Sequence, residues 1–121
     1  MSRKRLGILI SGRGSNMEAL LKAAQDPAWP CEPVVVLANK PDAGGLEKAR
    51  GFGVKAVAVD HKIYGKDREA FERAMNAAIE AEGVELIALA GFMRVLTPWF
   101  VNQWAGRLIN IHPALLPKYS G

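Results

Sequence analysis

The sequence predicts an α/β fold with a doubly wound, mainly parallel sheet. Three observations carry that expectation. Short apolar, β-rich runs alternate strictly with segments of helical period. The runs lack the polar alternation of a half-solvated sheet, as strands covered on both faces do. Glycine, asparagine and histidine collect just after the runs, where such sheets hold their ligands.

The first run is "LGILI" (6–10), too short for a helix and read as a buried strand. Helical period starts at Ser15, with Met17, Leu20, Leu21 and Ala24 on one face. "PVVVLAN" (33–39) is the second strand, "GGLEKARGFG" (44–53) a short helix ended by glycine, and "KAVAVD" (55–60) the third strand. Residues 67–82 form the longest helix: Ala70, Phe71, Ala74, Met75, Ala78 and Ile79 recur at helical spacing, and Gly83 supplies the stop. "ELIALAG" (85–91) is the fourth strand. Thr97 followed by Pro98 reads as a helix N-cap with proline at the first helical position, and "RLINIH" (107–112) is the fifth strand.

Composition narrows the class. The 121 residues are 50% hydrophobic and 23% charged, which suits one globular domain over 1–121 without repeats or linkers. The net charge of +4 favours an anionic ligand, but only the N-terminal "RKR" clusters basic residues, and that triplet reads as a solvated tail rather than a nucleic-acid contact. A single cysteine, Cys31 within "WPCEP", excludes an intramolecular disulfide and a cysteine-rich zinc site; it reads as a loop or strand-entry residue. No run approaches a membrane span, and "LGILI" is too short for a signal segment. A soluble, cytoplasmic protein is the expectation.

The strand-end rule selects residues 11–16, 39–45, 90–95 and 110–113. In "SGRGSN", Gly12 and Gly14 permit a tight turn and close backbone approach. Ser15 and Glu18 match an S-x-x-E capping box, so a plain capped turn is one reading. The other is an anion site at a helix N-terminus. A P-loop would need a Gly-Lys-Ser/Thr sequence, and the dinucleotide fingerprint needs a small residue where Met17 stands, so ATP and NAD lose ground. A single phosphate held by Gly14, Ser15 and Asn16 remains.

In "NIHP" (110–113), Asn110 and His112 are two apart on a strand and share a face, while Pro113 favours an extended His112. An amide donor beside an imidazole suits acyl-type transfer, the amide for an oxyanion and the imidazole for protons. A polar strand end with a hydrogen-bonded histidine is the plainer alternative. His61 in "VDHK" has no metal or nucleophile partner at useful spacing, and no metal is expected. Ser11 lacks the setting of a nucleophile elbow. Arg94 follows a strand end, where it would meet an anion or simply face water; Arg68 reads as a solvated helix residue.

"LISGRGSNMEALL", "ALAGFMRVLTPWFV" and "GRLINIHPALLPKYSG", together with "ANKPDAGGLEKAR", resemble phosphoribosylglycinamide formyltransferases across essentially the whole chain. The resemblance implies the N-terminal portion of a Rossmann-like formyltransferase fold. It implies transfer of the formyl group of 10-formyltetrahydrofolate to the amine of glycinamide ribonucleotide, in de novo purine biosynthesis, without a metal. Residue by residue, Gly14, Ser15 and Asn16 would cradle the ribonucleotide phosphate, and the backbone at Gly91 and Pro113 would border it. Asn110 and His112 fall on the catalytic pair. Met93, Arg94, Val95 and Leu96 match the folate-pocket segment, with Arg94 towards the glutamate tail and Arg68 as a second tail-binding arginine.

The likeness implies two small-molecule partners, no nucleic acid or membrane, and a monomer or homodimer. Family members run longer, with a catalytic aspartate expected beyond Gly121; these 121 residues alone are expected to turn over far more slowly than a longer chain. Asp42, Asp60 and Asp67 match nothing in the catalytic set. Formyl-tetrahydrofolate hydrolases and transfer-RNA formyltransferases share the Asn-x-His-Pro segment and are the rival enzymes, although they need no phosphate cradle. A non-catalytic phosphate-binding module is the rival of another class.

Overall fold

The computed structural model describes residues 3–111. Five strands form one sheet: β1 (Lys4–Ile10), β2 (Cys31–Ala38), β3 (Lys55–Ala58), β4 (Leu86–Leu89) and β5 (Leu108–Asn110). Their spatial order is β3-β2-β1-β4-β5, and every pairing is parallel. The helices are α1 (Ser15–Ala23), α2 (Gly44–Gly51), α3 (Arg68–Glu80) and α4 (Pro98–Gln103), with a 3₁₀ turn at His61–Tyr64.

The winding follows from side-chain alternation and crossover handedness. Leu6, Ile8 and Ile10 of β1 pack with Met17, Leu20 and Leu21 of α1 and with Leu46 and Ala49 of α2. Leu9, Val35, Leu37 and Ile87 point the other way, onto Phe71, Met75 and Ile79 of α3 and onto Phe100 and Trp104. Right-handed crossovers place α1 and α2 on one face while the chain steps from β1 to β3. When it returns past β1 to β4, the same handedness puts α3 and α4 on the opposite face. Strands covered on both faces account for the unbroken apolar runs.

Two local expectations need correction. Ser15 does not cap α1 and forms no box with Glu18. Gly14 is the cap residue, in the left-handed region at φ 73°, and no side chain caps the helix. Ser15 is already helical, one position too far along for its hydroxyl to act as N-cap. Glu18 instead lies near Lys48 at 3.7 Å and Lys22 at 4.0 Å.

Thr97 is, as expected, the N-cap residue of α4 with Pro98 opening the helix, although its hydroxyl makes no cap bond to that helix. The hydroxyl donates to the carboxylate of Glu72, and Thr97 N–H donates to Glu72 Oε2 at 2.6 Å. Glu72 is 1% exposed, so its carboxylate is shielded from water and draws both nearby donors. The third strand ends at Ala58 rather than at residue 60, because Asp60 turns the chain by accepting Lys62 N–H and opening the 3₁₀ turn. β5 is described over Leu108–Asn110, Ile111 N–H still donates to Leu89 O, and residue 112 of the expected strand lies outside the described residues. Among the described residues no helix is long and apolar enough to cross a membrane.

Candidate active site

In the order β3-β2-β1-β4-β5 the chain departs from β1 towards β2 and later returns to β1's other side as β4. The loops leaving β1 and β4 therefore diverge to opposite faces of the sheet and open a crevice at their carboxyl ends. A cleft of about 280 Å³ occupies this place, lined by Gly12, Arg13, Gly14, Ser15, Asn16, Ala90, Gly91 and Met93.

The glycine loop forms one wall. With Gly14 in the left-handed region, the chain turns directly from β1 into α1. Glu18 N–H is the first to bond back along the helix, to Gly14 O at 2.7 Å. The amides of Ser15, Asn16 and Met17 precede it at the positive end of the helix dipole, an arrangement that favours an anion.

The loop is held from behind by α2. Gly45 N–H donates to Gly12 O at 3.0 Å. A Cβ on Gly45 would lie 3.2 Å from Gly12 O, 3.2 Å from Gly14 Cα and 2.5 Å from Ile10 Cδ1, so only glycine permits this approach. The sequence places Gly45 in the strand-end segment 39–45 and at the start of a helix, without linking it to the glycine loop.

The other wall is the irregular segment after β4. Ser11, 4% exposed at the end of β1, accepts Met93 N–H at 2.7 Å and donates to Asn39 Oδ1 at 2.6 Å. Asn39 Nδ2 lies 3.1 Å from His61 Nδ1. Met93 and Val95 are 79% and 73% exposed, whereas Leu96 packs onto the core beneath α3 and α4. Arg94 is half-buried. Asn110 is exposed at the end of β5 in register with Leu89, one strand spacing of about 4.8 Å from β4.

Gly14, Ser15, Asn16, Gly91 and Met93 thus meet in one cleft. Arg68 stands exposed at the start of α3 and does not line it. His112 and Pro113 lie outside the described residues. A larger hollow of about 490 Å³, lined by Lys40, Pro41, Asp42, Asp60, His61 and Lys62, sits at the ends of β2 and β3, away from the switch point. Among the described residues no group of three or more His, Cys, Asp or Glu side chains is arranged to hold a metal ion.

Residues 4–121 match the formyl transferase family model. The chain belongs to the formyl transferase family. It is 46% identical over 121 residues to the trifunctional purine biosynthetic protein adenosine-3 of Drosophila melanogaster, covering 98% of this chain and 9% of that protein. It is 43% identical over 114 residues to the phosphoribosylglycinamide formyltransferase of Escherichia coli (strain K12), covering 94% of this chain and 53% of the relative. The crystal structure of phosphoribosylglycinamide formyltransferase from Brucella melitensis superposes with a TM-score of 0.87 at 45% identity, over 99% of this chain and 62% of that one. This formyl transferase chain therefore spans about half the length of the bacterial relative and a small part of the insect protein. Its five-stranded parallel sheet with flanking helices is the fold of those neighbours.

Proposed function

We propose that this formyl transferase chain supplies the ribonucleotide site and the oxyanion-stabilising asparagine of a phosphoribosylglycinamide formyltransferase, with 10-formyltetrahydrofolate as co-substrate. The carrying observation is the cleft at the β1/β4 switch point, which gathers free-ended helix amides at Gly14–Asn16 opposite Gly91. It lies one strand away from Asn110. A phosphate monoester fits the first wall by charge and by backbone donors.

With the phosphate so held, the glycinamide amine extends towards the ends of β4 and β5. The amine attacks the formyl carbon, forming a C–N bond, and Asn110 Nδ2 donates to the oxyanion that develops. Collapse breaks the bond between the formyl carbon and the folate nitrogen. The proton lost by the amine passes to that nitrogen, with His112 and a water as carriers. Met93 and Val95 offer an apolar lip for the pterin and benzoyl rings with Leu96 supporting it from the core side, Arg94 and Arg68 meet the anionic glutamate tail, and the backbone at Gly91 and Pro113 borders the ribonucleotide. Holding both substrates in one crevice lowers the barrier by proximity.

Titration of glycinamide ribonucleotide into the ¹⁵N-labelled chain tests the reading. Amide shifts are expected at Gly14, Ser15, Asn16 and Gly91, suppressed by competing inorganic phosphate. A titration that leaves those four amides unmoved refutes it. Transfer to the ribonucleotide amine, rather than release of formate, separates it from a hydrolase.

A further inference from the structure

Ser11 touches both walls of the cleft. Its backbone leads from β1 into the glycine loop, and its side-chain oxygen accepts Met93 N–H on the opposite wall. The hydroxyl has one proton, and Asn39 Oδ1 takes it at 2.6 Å. That donation turns a lone pair towards Met93. Asn39 is itself 1% exposed, so the Ser11–Asn39 pair is shielded from water and the hydroxyl has no competing solvent acceptor.

The segment that Ser11 holds has no ladder or helix of its own: residues 91–97 form neither. Its far end is held at Thr97 by the buried carboxylate of Glu72. Between the two anchors stand the exposed side chains of Met93 and Val95. Losing the Ser11 anchor frees the cleft side of this segment and leaves the α4 side in place.

We propose that Ser11 is a positioning residue that sets the separation of the two cleft walls, and with it the affinity for a phosphate monoester. The ligand half of this statement rests on the proposed ribonucleotide reading; the anchoring half does not. Ser11→Thr and Ser11→Val have nearly the same shape and differ in the hydroxyl, so any effect of added volume is common to both.

Two measurements read them: hydrogen exchange at the Met93 amide and titration with glycinamide ribonucleotide. The Gly45 amide, bonded to Gly12 O, serves as internal reference. In Ser11→Val, Met93 exchange should rise about tenfold while Gly45 is unchanged, and affinity should fall about tenfold, the scale of one buried hydrogen bond. Ser11→Thr should retain both.

Equal Met93 exchange in the two variants overturns the anchor. Faster exchange with unchanged affinity overturns its role in the site. If neither variant folds, Ser11→Ala, which adds no volume, is read against wild type in the same way. A wild-type chain that binds no ribonucleotide defeats the functional reading, while the exchange measurement still decides the anchor.

Discussion

Replacing Gly45 with alanine puts a methyl group where α2 meets the glycine loop. The new carbon would sit 2.5 Å from Ile10 Cδ1, 3.2 Å from Gly12 O and 3.2 Å from Gly14 Cα. Ile10 Cδ1 ends a flexible side chain and can turn aside, at the cost of repacking a residue that is 0% exposed. The other two atoms are backbone of the anion loop itself and retreat only if the loop moves. Overpacking of this kind costs about 1–3 kcal/mol. The helical preference of alanine over glycine returns about 1 kcal/mol, leaving a net loss of up to about 2 kcal/mol.

Gly44→Ala is the matched control, since its added carbon meets only Arg13 Cα, at 3.9 Å. It should be neutral or slightly stabilising. Urea unfolding at constant m-value reads the difference, and ribonucleotide titration reads the loop. Gly45→Ala should bind about tenfold more weakly, because displacing Gly14 misaligns the amides that follow it. Gly45→Ala matching Gly44→Ala in both stability and affinity would refute the close-approach argument.

Asn110→Ala should lower kcat for formyl transfer by about 10²–10³ and leave ribonucleotide affinity within about twofold, as expected for an oxyanion donor. An unchanged kcat removes Asn110 from the mechanism. Glu72→Ala should lower stability by about 1–3 kcal/mol because two donors of Thr97 lose their acceptor. Thermal melting checks it, with Glu72→Gln expected to recover part of the loss. Burial raises the pKa of Cys31 and the charge of Arg3 partly opposes it, so the thiol stays protonated at neutral pH. Iodoacetamide should modify Cys31 more slowly in the folded chain than in the unfolded chain at pH 8. A folded pKa above the unfolded one also means that this group's stabilisation is present at lower pH and fades as pH rises through that range. Equal folded and unfolded alkylation rates would contradict the shift.

The strands were legible because burial on both faces leaves its mark as uninterrupted runs such as "PVVVLAN", and the order of elements followed from their alternation. The strand-end rule picked out 11–16, 39–45, 90–95 and 110–113 as places for a ligand, but that 12–16 and 90–93 share one cleft follows from β4 lying beside β1, which the sequence pattern does not specify. What escaped was long-range pairing of polar side chains. Ser11 with Asn39, Met93 with Ser11, and Thr97 with Glu72 join positions far apart, and local pattern carries no trace of them. Glu72 and Asn76 lie beside the apolar positions that marked the long helix and carry no pattern of their own, yet both are buried and Asn76 Oδ1 accepts Trp104 Nε1–H at 2.6 Å beneath α4. The S-x-x-E pattern misled for a different reason: glycine's access to the left-handed region let α1 begin one residue earlier than a side-chain cap would dictate.

The central place of β1 bears on how this protein comes into being. Leu6 pairs with Pro33 on one side but with Leu86 on the other, so the second partner is made far later in synthesis than the first. Until then β1 has an open apolar edge, a hazard for aggregation during synthesis. The pairing of β1 with β4 is also the contact of longest sequence separation in the sheet, and contacts of that kind form late. Since the cleft opens between these two strands, it exists only once that late step is complete. A phosphate monoester bound in the cleft would therefore stabilise only those molecules in which β1 and β4 are already paired.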